Sequence, residues 1–227
     1  DISKAGMFGL STVLTLRTTV EPGEPFAVDL DRDDLAVFAF LYWPITADQP
    51  TPSLDAYRKL NRFLQSGGMI LIDTRDADLA AGGVVTPEGQ RLQELAAGLD
   101  IPALDPLPDD HVLTRSFYLL EDFPGRFAGA PVWAEAAPAT AEKAEGMPFR
   151  NLNDGVTPVV IGGNDWAAAW ALDDQGRPLF RVGRGQTGER QREMAYRFGI
   201  NLIMHVLTGN YKSDQVHVPA LLERLGQ

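Results

Sequence analysis

Three short segments of this chain gather side chains able to move a proton, hold an ion or grip a polar ligand. Asp73-Thr-Arg-Asp76 follows an apolar run, Asp109-Asp-His111 precedes Arg115 and Ser116, and Gly162-Gly-Asn-Asp-Trp166 follows a second apolar run. Tyr42 and Trp43 close a third. Asp73 and Asp76 are a carboxylate pair of the kind that binds a divalent cation or does acid–base work. The competing reading has Asp73 capping the turn after a strand while Arg75 neutralises Asp76, because Asp side chains bond readily to turn N–H groups. His111 could serve as a general base, or as a metal ligand with Asp73 or Asp76, or simply be a hydrogen-bonded loop residue. His205 falls on the apolar face of a helical pattern and reads as core, and His217 lies in the C-terminal tail.

Other chemistries are excluded by what the chain lacks. It has no cysteine, so thiol nucleophiles, zinc–thiolate sites and disulfides are out. No G-x-S-x-G elbow occurs. Gly183-Arg-Gly-Gln-Thr-Gly188 spells G-x-G-x-x-G before a helix, yet too little chain follows to complete a dinucleotide-binding unit. It reads as a glycine-rich loop whose N–H groups, with Arg184, could hold an anion. Trp43, Trp133, Trp166 and Trp170 read as core or rim packing ahead of a sugar-stacking platform. Twenty Lys and Arg against 31 Asp and Glu give a net charge of −11, which argues against nucleic acid as a partner. No apolar run approaches the ~20 residues of a membrane span. The chain opens on Asp1 without a signal-like segment and so reads as part of something longer.

The elements that must position these residues follow from periodicity. A helix is expected over 2–17, with Ser3 as its cap, then a loop over 21–34. Leu35–Trp43 is continuously apolar and reads as a strand buried on both faces. Thr51-Pro-Ser53 opens a helix to about Ser66, and Gly67 and Gly68 stop it. Met69–Asp73 is a second strand, and Thr86-Pro87 opens a second such helix. The proline-rich middle carries a partly extended Val112–Leu120 and a weak strand over Pro131–Ala136. Thr157–Ile161 is a third core strand. Trp166–Leu172 and Pro178–Val182 flank Asp173-Asp-Gln-Gly176 as an added hairpin. A last helix spans Thr187 to about Thr208 and stops at Gly209. The whole reads as one α/β domain over 1–227, with 137–155 an exposed insertion and 210–227 a tail. Alternating strands and helices predict a mostly parallel sheet. Ligands of such sheets bind at the strands' carboxyl ends. That rule selects Tyr42, Trp43, Asp73, Arg75, Asp76, Asn164 and Asp165, with His111 and Arg115 added from the middle segment.

Several strings taken together resemble one bacterial family. They are Leu41-Tyr-Trp-Pro44, Gly67-Gly-Met-Ile-Leu-Ile-Asp-Thr-Arg75, Asp110-His-Val-Leu-Thr-Arg-Ser-Phe-Tyr118, Gly162-Gly-Asn-Asp-Trp166, Ala195-Tyr-Arg-Phe-Gly-Ile-Asn201 and Leu207-Thr-Gly-Asn-Tyr211. The family is the domain of unknown function 4159. The resemblance implies a flavodoxin-like three-layer α/β sandwich similar to class I glutamine amidotransferases. It also implies a C-terminal module of larger, membrane-anchored, aerotolerance-type envelope proteins, hence an extracytoplasmic (periplasmic) position with the parent's other domains as partners. No catalytic residues are established for the family. Amidotransferase chemistry needs a cysteine at the turn after a core strand, and this chain continues there into Thr74-Arg75-Asp76. The leading expectation is therefore a non-catalytic module for a small ligand, peptide or glycan, with no cofactor. The alternative is a hydrolase using Asp73 or Asp76 with His111, with or without a divalent cation.

Overall fold

Alternate residues of one five-residue run serve two different hydrophobic cores. Met69 and Leu71 point into one, Ile70 and Ile72 into the other, and all four are buried. This is what a strand covered on both faces requires. The computed structural model describes residues 1–80, 82–136 and 156–225, with side chains as far as Gly209. The expected insertion over 137–155 lies outside the described residues.

Among the described residues five strands make one sheet: β1 (Phe40–Pro44), β2 (Met69–Asp73), β3 (Leu104–Pro106), β4 (Trp133–Glu135) and β5 (Val159–Gly162), in the order β1-β2-β5-β4-β3. β1, β2 and β5 are parallel, and β4 and β3 extend the sheet antiparallel. The three apolar segments therefore run side by side in one direction, and their exits share one rim. The helices are α1 (Ile2–Arg17), α2 (Leu54–Gln65), α3 (Ala77–Ala80), α4 (Pro87–Ala96), α5 (Trp166–Trp170) and α6 (Gly185–Leu225). Leu60, Phe63 and Leu64 of α2 and Leu95 of α4 pack on one face. Leu10 and Leu14 of α1, Trp166 and Trp170 of α5, and Phe198 and Leu202 of α6 pack on the other. Ser53 and Thr86 cap α2 and α4 by accepting from Ala56 N and Gly89 N, and Gly67 ends α2 at φ 91°. The cap of α1 is Asp1 rather than Ser3, its carboxylate accepting from the Ser3 N–H.

Several expectations are corrected. Leu35–Val37 is a 3-10 turn capped by Asp34, and the strand begins only at Phe40. An unbroken apolar run does not distinguish a strand from a buried turn. β1 also lies at the edge of the sheet, so its residues are half-buried. Val112–Leu120 is not extended. It holds a 3-10 turn, Val112–Thr114, and is clamped by buried Asn201, whose Nδ2 donates to Leu113 O (2.7 Å) and Tyr118 O (2.9 Å) while its Oδ1 accepts from Tyr118 N. The first arm of the expected hairpin is α5, in line with the helix propensity of Ala167-Ala-Ala169. What remains of the hairpin is one bridge, Leu172 to Pro178, around a turn with Gly176 at φ 74°. α6 does not stop at Gly209 but continues through most of the expected tail to Leu225. Gly209 serves close packing, since a Cβ there would lie 2.6 Å from Val156 Cγ2.

The contact between α1 and α5 is made backbone to backbone. A Cβ at Gly6 would overlap the Ala167 carbonyl, and one at Gly9 would overlap the Trp170 carbonyl. Neither neighbour is a flexible side-chain end that could move aside. Gly9→Ala is expected to cost about 1–3 kcal/mol of unfolding free energy by overpacking. Gly23→Ala, with open space around it, should stay within about 0.5 kcal/mol of wild type. Denaturant unfolding of both variants checks the pair.

Candidate functional site

The chain leaves β2 for α4 on one face of the sheet and leaves β5 for α5 on the other. β2 and β5 are neighbours; Thr74 N and Ala77 N donate to Gly162 O and Gly163 O, so the two exits stay joined for a few residues before they part, at the switch-point crevice, to opposite faces. This is the place where open α/β sheets take ligands.

Asp73, the last residue of β2, sits at its base without solvent exposure. Its Oδ2 accepts from Tyr42 Oη (2.9 Å) and Trp166 N (2.8 Å), and its Oδ1 from Arg75 N (3.1 Å) and Asp165 N (3.2 Å). One carboxylate thus ties β1, the exit of β2 and the start of α5 together. Burial pushes Asp73 up to about 7, against the pull of the Trp166 N–H and the Tyr42 hydroxyl. Burial, together with the Asp73 charge, raises the Tyr42 phenol well above its ordinary value.

Arg75 and Asp165 donate their N–H groups to the same oxygen, so their backbones are two hydrogen-bond lengths apart. They are also the two non-glycine residues with positive φ among those described, at 57° and 55°. That left-handed region costs an arginine roughly 1–2 kcal/mol and an aspartate less. Each carries a buried polar atom without a hydrogen-bond partner, Arg75 Nε and Asp165 Oδ1, and neighbouring Asn164 contributes a third, Oδ1. Burial raises the Asp165 carboxyl, and Arg126, Arg75 and the Ala168 N–H of α5 pull it back. Arg126 Nη1 stands 3.5 Å from Asp165 Oδ2, whereas Arg75 forms no ion pair with Asp165 and donates through Nη2 to Ile45 O (3.1 Å).

A strap without regular structure, 123–127, closes one side. Phe123 O accepts from Asn164 Nδ2 (3.0 Å) and Trp166 Nε1 (3.1 Å). Phe127 N donates to Asn164 O and Arg126 N to Asp165 O. From the other direction, Gln191 Nε2 in the first turns of α6 donates to Gly125 O and Arg126 O. Gly125 is obligatory here because a Cβ would overlap Asn164 O. Nothing in the sequence reading singles out 123–127 or places Arg126 at the rim.

The remaining expected site residues divide. Asp76 is in the crevice wall but fully engaged: Thr74 Oγ1 donates to its Oδ1 and Thr86 Oγ1 to its Oδ2. It therefore fastens the β2 exit to the α4 cap and is not neutralised by Arg75. Trp43 packs with the α2 and α4 core, on the face away from Tyr42. His111 and Arg115 are elsewhere. His111 Nδ1 accepts from Leu113 N (3.1 Å), and its Nε2 lies 3.4 Å from Thr157 Oγ1. Thr157 precedes β5, whereas Gly162 at the other end of β5 pairs with Asp73. His111 is thus a strand's length away, roughly 16 Å. Arg115 Nη2 donates to Asp110 O beside it. Asp73 and Asp76 with His111 do not assemble into a hydrolytic site. Among the described residues no group of three or more His, Asp or Glu is placed to hold a metal. His205 is core, its Nε2 accepting from Thr157 N (3.0 Å). The side chain of His217 lies outside those described. Trp166 and Trp170 are wholly buried. Gly183 and Gly185 turn the chain at φ 56° and 55° into α6.

The profile of the family described as Domain of unknown function (DUF4159) matches residues 1–207. The chain belongs to that family. No curated protein matches it.

Two buried groups at opposite strand ends give this DUF4159 domain opposed pH dependences. Asp73 titrates near 7 when folded and near 3.9 when unfolded. The folded state binds the extra proton in that window, so Asp73 makes stability fall as pH rises through it, by about 4 kcal/mol at most. Burial holds His111 down at about 4, and its Nδ1 is occupied as an acceptor. Its contribution is present above the unfolded value near 6.5 and is lost as pH falls toward 4, by about 3 kcal/mol. The wild-type profile is expected to be shallow between pH 4 and 6.5. Denaturant unfolding across that range should uncover a falling profile in His111→Asn and a rising one in Asp73→Asn. Parallel profiles in all three proteins would show that neither group titrates as described.

Proposed function

We propose that this domain is a non-catalytic ligand-binding module whose site is the crevice between the exits of β2 and β5. The ligand is a small polar molecule, or the polar end of a peptide or glycan, held by Arg75, Asn164 and Asp165 with Arg126 at the rim. One observation carries the reading. The two left-handed non-glycine residues of the described chain hang on one oxygen of Asp73, and each carries a buried polar atom without a partner. Strain of this kind persists only where the surroundings impose it, and it concentrates at functional sites. A binding role is favoured over hydrolysis because Asp73 and Asp76 spend their oxygens on structural donors and His111 is at the far strand end. The reading needs no cofactor.

The finer fold reading is flavodoxin-like, a three-layer sandwich similar to class I glutamine amidotransferases. It is supported by three parallel strands with helices packed on both faces. We place the domain in the extracytoplasmic part of a membrane-anchored bacterial protein, with the parent's other domains as partners. The support is the family resemblance of its sequence strings; the described residues contain no helix long and apolar enough to cross a membrane.

If Arg75 serves a ligand and not the fold, Arg75→Gly relieves the left-handed backbone and removes a buried orphan. It should leave unfolding free energy unchanged or raise it by up to about 1 kcal/mol. A panel of monosaccharides, amino acids, dipeptides and nucleosides, read by thermal shift, should contain a compound that stabilises wild type and not the variant. A loss of stability well beyond 1 kcal/mol would make Arg75 a structural strut, and a panel without a differential hit would remove the proposal.

A further inference from the structure

The three orphaned atoms of the crevice differ in charge. Asp165 Oδ1 is an anionic acceptor, Asn164 Oδ1 a neutral acceptor beside it, and Arg75 Nε a cationic donor. Arg75 and Asp165 are near enough for their charges to be felt by each other, and their N–H groups share Asp73 Oδ1. They nevertheless make no ion pair. Arg75 turns its Nη2 away to Ile45 O, and Asp165 turns its Oδ2 toward Arg126. Two opposite charges are thus held near each other and out of contact, and each has one atom, Arg75 Nε and Asp165 Oδ1, shielded from water without a partner. Glycine would occupy both backbone positions without strain, so the strain is borne by positions that present these two side chains.

A neutral hydroxyl can hydrogen-bond to either group but leaves both charges uncompensated. A molecule with a cationic donor and an anionic acceptor a short distance apart satisfies both, and the guanidinium edge suits a carboxylate. We infer that the crevice takes a zwitterion of the α-amino acid type, with its ammonium on Asp165 Oδ1 and Asn164 Oδ1 and its carboxylate on Arg75 Nε. This rests on the crevice being a ligand site, as proposed above, and specifies what that site selects. Arg75 is half-buried, so the site borders the surface at this side chain.

Isothermal titration calorimetry on the full 227-residue chain tests the assignment. The probes are glycine and L-alanine, the half-ligands methylammonium and acetate, and the neutral polyols glucose and glycerol. The amino acids are expected to bind, and each half-ligand to bind roughly ten- to a hundredfold more weakly, as loss of one charged hydrogen-bonding end implies. Asp165→Asn keeps a residue at ease in the left-handed region while removing the charge, and Arg75→Gln removes the cation. Each should weaken amino-acid binding by a similar factor while far-ultraviolet circular dichroism is unchanged. If one variant fails to fold, the other decides. Binding of the polyols without the amino acids would overturn the zwitterion and leave the crevice as a ligand site. Amino-acid binding that ignores both substitutions would overturn it as well, and binding of none of the probes would count against both readings.

Discussion

A single buried carboxylate organises the functional end of this molecule. Asp73 closes the middle one of the three parallel strands and accepts four hydrogen bonds, from Tyr42 on the neighbouring strand, from its own exit at Arg75, and from Asp165 and Trp166 at the start of α5. No other residue type does this as well. Asparagine would turn an N–H₂ group toward donors, and an aliphatic side chain would orphan all of them. The left-handed turns at Arg75 and Asp165 exist because this carboxylate draws both N–H groups inward. The crevice is in that sense a by-product of how one charge is kept in a dry place.

Its dryness follows from the layers. α2 and α4 cover one face of the sheet, while α1, the segment around Leu113–Val132, α5 and α6 cover the other. The chain leaves β5 straight into α5, whose five residues are all apolar, behind the strand ends. Trp166 and Trp170 bury themselves there, with Gly162 lacking a side chain where the Trp166 ring lies. The two tryptophans give the wall, and the glycines of α1 let it be backed by a helix at backbone contact.

Much of this was legible in the residues. Met69–Asp73 announces a covered strand by being apolar without alternation and ending in a charge, and the parallel arrangement of three such runs follows from the helices between them. The strand-end rule then finds Tyr42, Asp73, Arg75, Asp76, Asn164 and Asp165 together. What failed has a common cause: local pattern carries no information on where an irregular segment returns. His111 looked like a rim residue because its segment is polar and proline-rich. The antiparallel pair β3 and β4 and the Asn201 clamp take that segment to the other end of β5. Trp43 was misassigned because alternation along a half-buried edge strand is invisible when every residue is apolar. The backbone strain at Arg75 and Asp165 has no sequence signature at arginine and only a faint one at aspartate.

The strap over 123–127 has a mechanical consequence. It has no helix or strand of its own, and its position is set by what it is tethered to: Asn164, Asp165 and Trp166 at one end, Gln191 near the start of α6 at the other. A shift of the first turns of α6 is transmitted along this tether to the residue that flanks Asp73, and a load on Arg126 is transmitted back. The pocket and the longest helix of the protein are thus geared to each other through a handful of hydrogen bonds.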